Sequence, residues 1–263
     1  MKVIDIIKYV EKTYPVYSEL DFDNSGANIV DESESVTGIL VCLDATLNAI
    51  KYARDNNLNM IVSHHPIIFN AIKNINDDIL STKIKCIIKK SIHCYSVHTN
   101  FDMNIEKGMC KILVNKIFDK KIIKSNKPLF TNIIKGKEYG GGSIILLNKT
   151  FDIIDIVNIL KSKLAIKDEK ISYYYNDYTK KINKIVIMPG SGSGDVEDVI
   201  KLKPDLFITS DLKHNQIIDL LDRDISYINA THYGLEKIFV DYMSDYLQKK
   251  FKIKILKYYS ENL

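Results

Sequence analysis

The chain has 263 residues, 46% of them apolar and 27% charged, with a formal net charge of +4. That is enough chain to bury a real core, which excludes a disordered segment or a disulfide-stapled miniprotein, and no apolar run approaches the ~20 residues that span a bilayer. Of the 37 basic residues only Arg54 and Arg223 are arginine. Phosphate and base-edge recognition leans on arginine forks, and the lysines are interleaved with acids, so a nucleic-acid partner is not expected.

The opening MKVIDIIKYVEKTYP reads as an amphipathic helix and not as a signal peptide. From Val36 the pattern alternates short apolar runs with longer amphipathic ones. TGILVCLD predicts a strand, residues 45–57 a helix, NMIVS a strand, residues 77–90 a helix, IHCYSV a strand and residues 105–118 a helix. Such alternation indicates βαβ units with strand C-termini on one edge. Residues 119–137, rich in lysine and asparagine and containing Pro128, predict a linker. A second block follows: strand GGSIILL, a helix over 151–164, strand ISYYY, strand KIVIM running into PGSGSG, a helix over 195–202, strand DLFITS, a helix over 215–221 and strand ISYINA. A single helix over 234–250 and the strand KIKILKYY end the chain. The expected division is a first α/β lobe over 1–125, a second over 126–229, and a C-terminal helix and strand over 230–263 that return to the first. The four cysteines form no CxxC pair, which suits free thiols in a reducing cytoplasm.

Five of the six histidines fall at or shortly after strand ends. His64 and His65 follow NMIVS; His98, with Asp102 four residues on, follows IHCYSV; Asp211 and His214 follow DLFITS; His232, with Glu236 four residues on, follows ISYINA. GILVCLD delivers Asp44 to the same kind of place. Sites in open α/β sheets assemble beyond the strand C-termini. A lone histidine after a strand is more often a hydrogen-bonded core residue, but four exits carrying imidazole and carboxylate together suit a metal. His232 and Glu236 share one face of a helical turn. Adjacent histidines ahead of Pro66, with two acids, suit two ions better than one. His93 lies inside its strand and is expected to be structural. His214 is expected to be a substrate contact, a support to the site or simply exposed. PGSGSG, with Gly190, Gly192 and Gly194, can either cradle a phosphate on its N–H groups or serve as a tight crossover.

VSHHPIIF, YSVHTNFD, PGSGSG, ITSDLKH and ATHYGLE, preceded by DNSGANI and LVCLDAT, resemble the Nif-three-like family, whose bacterial members carry the name GTP cyclohydrolase I type 2 homologue. The resemblance runs from about Asp23 to Phe239, in the short form without an inserted domain; ISYYYNDYTKKIN matches poorly. It implies a two-lobed α/β fold with mostly parallel sheets flanked by helices, a homohexameric ring, and two divalent ions per chain (zinc, iron or manganese). The implied ligands are His64, His65, Asp102, His232 and Glu236, the last touching both ions, with His98 outside the ligand set. The expected function is a cytoplasmic metal-dependent hydrolase acting on a small molecule such as a nucleotide through metal-activated water, with His98 moving the proton and Asp44, Asp211, His214 and the glycine turn supporting ligands or substrate. The alternative is a non-catalytic metal-binding assembly or regulatory protein.

Overall fold

The computed structural model describes residues 1–260 except 168, 169, 176 and 178. In chain order the elements are α1 (Val3–Glu11), β1 (Gly26–Ile29), β2 (Gly38–Cys42), α2 (Leu47–Asp55), β3 (Met60–Ser63), α3 (Ile79–Lys89), β4 (His93–Ser96), α4 (Thr99–Asp102), α5 (Met109–Ile117), β5 (Ile123–Lys127), β6 (Phe130–Ile134), β7 (Lys137–Gly141) and β8 (Ser143–Phe151). They continue as α6 (Ile153–Leu164), β9 (Ser172–Tyr174), β10 (Ile182–Ser191), α7 (Val196–Leu202), β11 (Leu206–Ser210), α8 (His214–Asp222), β12 (Ser226–Asn229), α9 (His232–Glu236), α10 (Ile238–Gln248) and β13 (Lys254–Tyr258). The chain forms two compact units, one from residues 1–103 with the C-terminal stretch from Phe239, the other from Asn104 to Ile238.

The first unit holds a five-stranded sheet in the order β1-β4-β3-β2-β13, parallel throughout except for β1 on β4. Its central strands are buried on both faces, as parallel strands between helices require. On one face Leu40, Cys42, Ile61 and Cys94 pack with Ala49, Ile50 and Ala53 of α2 and Ile87 of α3. Elsewhere in the unit α1 buries Val3, Ile6, Ile7 and Val10, an i, i+3, i+4, i+7 stripe. Beside them Phe101, completely buried, meets Tyr14, Phe239 and Tyr242 with ring centroids 5.0, 5.1 and 5.8 Å away.

The second unit holds a six-stranded sheet, β5-β8-β10-β11-β12-β9. Only β10, β11 and β12 run parallel; β5, β8 and β9 pair antiparallel, so this sheet is mixed where the sequence suggested mostly parallel strands. One face packs Ile185, Ile187, Leu206 and Ile208 against α5 and α6 through Leu113, Val114, Ile156 and Leu160. The other packs Val186 and Phe207 against Val196 and Val199 of α7 and Leu220 of α8.

Three sequence expectations need correction. The unit boundaries fall at 103/104 and 238/239, not near 125 and 229, because α5 gives its apolar face to the second core. Residues 119–137 are no linker: they form β5 and most of a β6–β7 hairpin. Lys135 and Gly136, both at positive φ, make the two-residue connection that matches the twist of paired strands, while the lysines of β5 sit on a sheet edge, where charge is normal. The final helix is two, α9 and α10, separated at Lys237.

Phe101 ties this packing to the histidines, since the His64 ring lies 6.0 Å from its centroid in an edge-on arrangement. Phe101→Ala should therefore lower the unfolding free energy by about 3–5 kcal/mol, measured by urea denaturation. A loss below ~1 kcal/mol would show that the ring is not a core support.

Candidate metal centre

In the first unit β3 ends at Ser63, and the next residues are His64 and His65. Their backbone N–H groups donate to Leu43 O at 3.1 and 3.0 Å, and Ser63 Oγ donates to His65 O, so the exit of β3 is fastened to the exit of β2. The neighbouring strand β4 ends at Ser96, and Val97 N donates to Ser63 O before the chain reaches His98. Parallel pairing of β2, β3 and β4 thus brings the residues after each strand to one edge. The His64, His65 and His98 rings stand 5.0–5.3 Å apart by centroids, and one ligand atom of each lies within 4.8 Å of the others. Asp102, on the single turn of α4 after His98, places Oδ1 3.7 Å from His64 Nε2.

Each ring is anchored the same way. His64 Nδ1 is 2.8 Å from the Val97 carbonyl oxygen, His65 Nδ1 is 2.8 Å from Asp44 Oδ1, and His98 Nδ1 is 2.6 Å from Asp23 Oδ1. Carbonyl and carboxylate oxygens accept, so Nδ1 carries the proton and Nε2 is the ring's lone-pair atom. That is the arrangement in which histidine binds metals.

Asp23 was not singled out as a site residue by the sequence, although it opens the DNSGANI motif. Its side chain is fully buried. It receives N–H or O–H donors from His98, Thr99 N, Thr99 Oγ1, Asn24 N and Ser25 Oγ, at 2.5–3.0 Å. Burial alone would push this carboxyl up, but the hydrogen bonds from His98, Thr99 and Ser25 outweigh it and hold it well below the usual carboxylate range.

In the second unit the parallel strands β10, β11 and β12 bring Gly190, Asp211 and His232 to one edge. Thr231 caps α9 by accepting from Gly234 N at 2.8 Å. His232 and Glu236 then stack one turn apart, with Nε2 2.9 Å from Oε2. His232 Nδ1 lies 2.6 Å from Asp211 Oδ2, the fourth instance of the same anchor. Asp211 is held at φ +57°, a costly backbone state for a residue other than glycine, and it is the residue that orients the imidazole. His232 Nε2 and Glu236 Oε2, at 2.9 Å, stand close enough to share a proton or to bind one cation together. Ligand atoms ~2.0–2.2 Å from one ion stand ~3 Å from each other, so the spacing fits a shared metal. The buried His and Glu groups can therefore hold a metal ion.

The remaining sequence candidates separate. His93 is inside β4, where Nδ1 accepts from Asp31 N at 3.1 Å. His214 is exposed on the first turn of α8. Gly192 N donates to Thr209 Oγ1, so one donor of the supposed phosphate cradle is already engaged. Asp195, at the end of the turn, is pushed up to about 6 by burial and the nearby Asp198. Gly190 serves a steric purpose instead: it is at φ +69°, and a Cβ there would stand 2.5 Å from Glu236 Oε1 and 3.6 Å from His232 Nε2. Gly194 has nothing within 4 Å of such an atom. Gly190→Ala should lower stability by about 1–3 kcal/mol, while Gly194→Ala should stay within ~0.5 kcal/mol of the parent. Thermal unfolding of both variants checks this, and equal behaviour would contradict the steric account.

The chain is 34% identical over 238 residues to the GTP cyclohydrolase 1 type 2 homolog of Clostridium perfringens, covering 90% of this chain and 87% of that protein. It is 33% identical over 252 residues to the protein of the same name from Clostridium acetobutylicum, covering 94% and 90%. Its fold is similar to the crystal structure of a Staphylococcus aureus protein, with a TM-score of 0.86 at 23% identity over 100% of this chain and 97% of that one. The family model Duf34/NIF3 (NGG1p interacting factor 3) matches residues 1–262. The four anchored histidines thus sit in a chain that belongs to the DUF34/NIF3 family.

Proposed function

We propose that the protein is a divalent-metal-dependent hydrolase that holds two ions through His64, His65, Asp102, His232 and Glu236. The observation that carries this reading is the common anchor: His64, His65 and His232, at strand exits, each give Nδ1 to a backbone carbonyl or a carboxylate and keep Nε2 for coordination, and His98 is anchored the same way. Imidazole and carboxylate donors suit zinc, iron or manganese. The name shared by the Clostridium relatives points to a nucleotide such as GTP as the substrate. The homohexameric ring implied by the sequence resemblance belongs to the same proposal.

Such ions, when bound, acidify water and polarise the bond under attack. The chain supplies the rest. Asp44 and Asp211 hold His65 and His232 in register, and Gly190 leaves Glu236 its space. His98 accepts the proton at Nε2, and the buried Asp23 carboxylate stabilises the cation that forms, the usual division of labour in a carboxylate–imidazole pair.

A second reading is favoured by one specific observation: His98 has the same anchor as the other three histidines and lies within 4.8 Å of the His64 and His65 ligand atoms. In that reading His98 is itself a ligand. Metal content beside turnover separates the two. The purified, reconstituted chain should carry about two divalent ions and hydrolyse GTP or a related nucleotide. Asp102→Ala should lose metal, whereas His98→Ala should keep it and lose ~10²–10⁴-fold in rate. Loss of metal from His98→Ala would make it a ligand. A folded parent that takes up no divalent ion would overturn the proposal, and a metal-loaded parent inert toward nucleotides and phosphoesters would leave a binding protein.

A further inference from the structure

Beside the imidazole cluster of the first unit stand two phenylalanines that the packing of the core does not use. Phe22 is 64% exposed and Phe69 is 42% exposed. Their ring centroids are 6.4 Å apart at an interplanar angle of 47°, and Phe69 lies 6.2 Å from the His98 ring. An isolated exposed aromatic needs no explanation, but this pair is held in place. Asp23 N donates to Leu20 O, closing a tight turn with Phe22 near its tip. The next residue, Asp23, is buried and bonded to both His98 and Thr99. Asn24 Nδ2 then reaches across to donate to Ile68 O at 2.6 Å, and Ile68 N lies 3.4 Å from Asn28 Oδ1. Ile68 immediately precedes Phe69. The hydrogen bonds that orient His98 therefore also hold the backbone next to Phe22, and the latch from Asn24 to Ile68 holds the backbone next to Phe69.

We propose that Phe22 and Phe69 form a stacking ledge for the planar nitrogen heterocycle of the substrate, a purine base or a ring of that class. This rests on the hydrolase reading above and adds the part of the substrate that the site grips. At 6.4 Å and 47° the two rings leave no slot for a third between them, since a sandwich needs ~7 Å between parallel faces. The ligand lies on the outer face of one ring with the edge of the other as a wall. A flat π-system suits such a surface, because stacking tolerates any base and is worth ~5–100-fold in affinity per base by alanine substitution. An aliphatic ligand gains only its buried area there. Phe69 lies 6.2 Å from the His98 ring, so a heterocycle on the ledge is beside the imidazoles of the first unit.

The experiment uses the full-length, metal-loaded chain and the fluorescent purine nucleotide 2-aminopurine riboside monophosphate. The protein contains no tryptophan, so quenching of the stacked probe is read without interference. The parent should quench the probe on binding. Phe22→Ala and Phe69→Ala should each weaken binding ~5–100-fold with metal content unchanged, and Phe69→Tyr should restore it. Equal affinity in parent and both alanine variants would overturn the ledge, as would a parent that does not bind the probe. A change in sedimentation on either substitution would also overturn it, because the pair would then be a contact between copies. Metal content and GTP turnover, measured on the same samples, keep the two ideas apart. A metal-free, inactive parent whose probe affinity still falls in the alanine variants sinks the hydrolase and keeps the ledge. An active, metal-loaded parent whose probe affinity ignores both substitutions does the reverse.

Discussion

A hydrogen bond from Nδ1 of a strand-exit histidine to a fixed oxygen is the interaction on which the site depends. It sets the tautomer, chooses which nitrogen faces outward, and costs the imidazole its rotational freedom before any ligand arrives. The acceptors are as revealing as the histidines. His64 uses the Val97 carbonyl, which is in place only because β3 and β4 run parallel and in register. His65 uses Asp44 from the exit of β2, His232 uses Asp211 from the exit of β11, and His98 uses Asp23 from the turn before β1. Each anchor therefore crosses between chain segments, and each fails if its sheet edge shifts.

The cost of this arrangement is visible locally. Asp211 occupies a left-handed backbone conformation, Asp23 keeps a carboxylate with no solvent exposure, and Gly190 excludes any side chain from the space beside Glu236. None of these improves the core. Strain and buried charge of this kind persist where the surrounding structure over-determines them, and they gather at functional sites. Phe101, packed against Tyr14, Phe239 and His64, is one of the residues that does the determining.

Much of this was legible in the sequence, because strand periodicity fixes which residues stand at an exit. NMIVS followed by His64 and His65, and ISYINA followed shortly by His232, announce their position from the alternation alone, and the i, i+4 spacing of His232 and Glu236 is a local property of a helical turn. Asp44 and Asp211 could be named as neighbours of the site for the same reason. What could not be read was which acid holds which histidine. Asp23 lies 75 residues from His98, and a pairing of that separation depends on β1 docking antiparallel on β4. The fold shows the same limit. Residues 119–137 have a loop composition, yet edge strands and a hairpin need few apolar residues, so their pairing partners and not their own pattern decide them. The helix predicted as one piece over 234–250 is broken at Lys237, with no proline or glycine at the break to mark it.

The most direct test of the account is the protonation pattern of the four anchored imidazoles, read by ¹⁵N NMR on the metal-free chain and again after adding Zn²⁺. Nδ1 of His64, His65, His98 and His232 should carry the proton and keep it throughout. Nε2 of His64, His65 and His232 should move to the shift range of a metal-bound nitrogen on titration, with His98 reporting whether it joins them. Protons found on Nε2, or Nε2 resonances that ignore the metal while the fold stays intact, would contradict the claim that these anchors exist to present ligands.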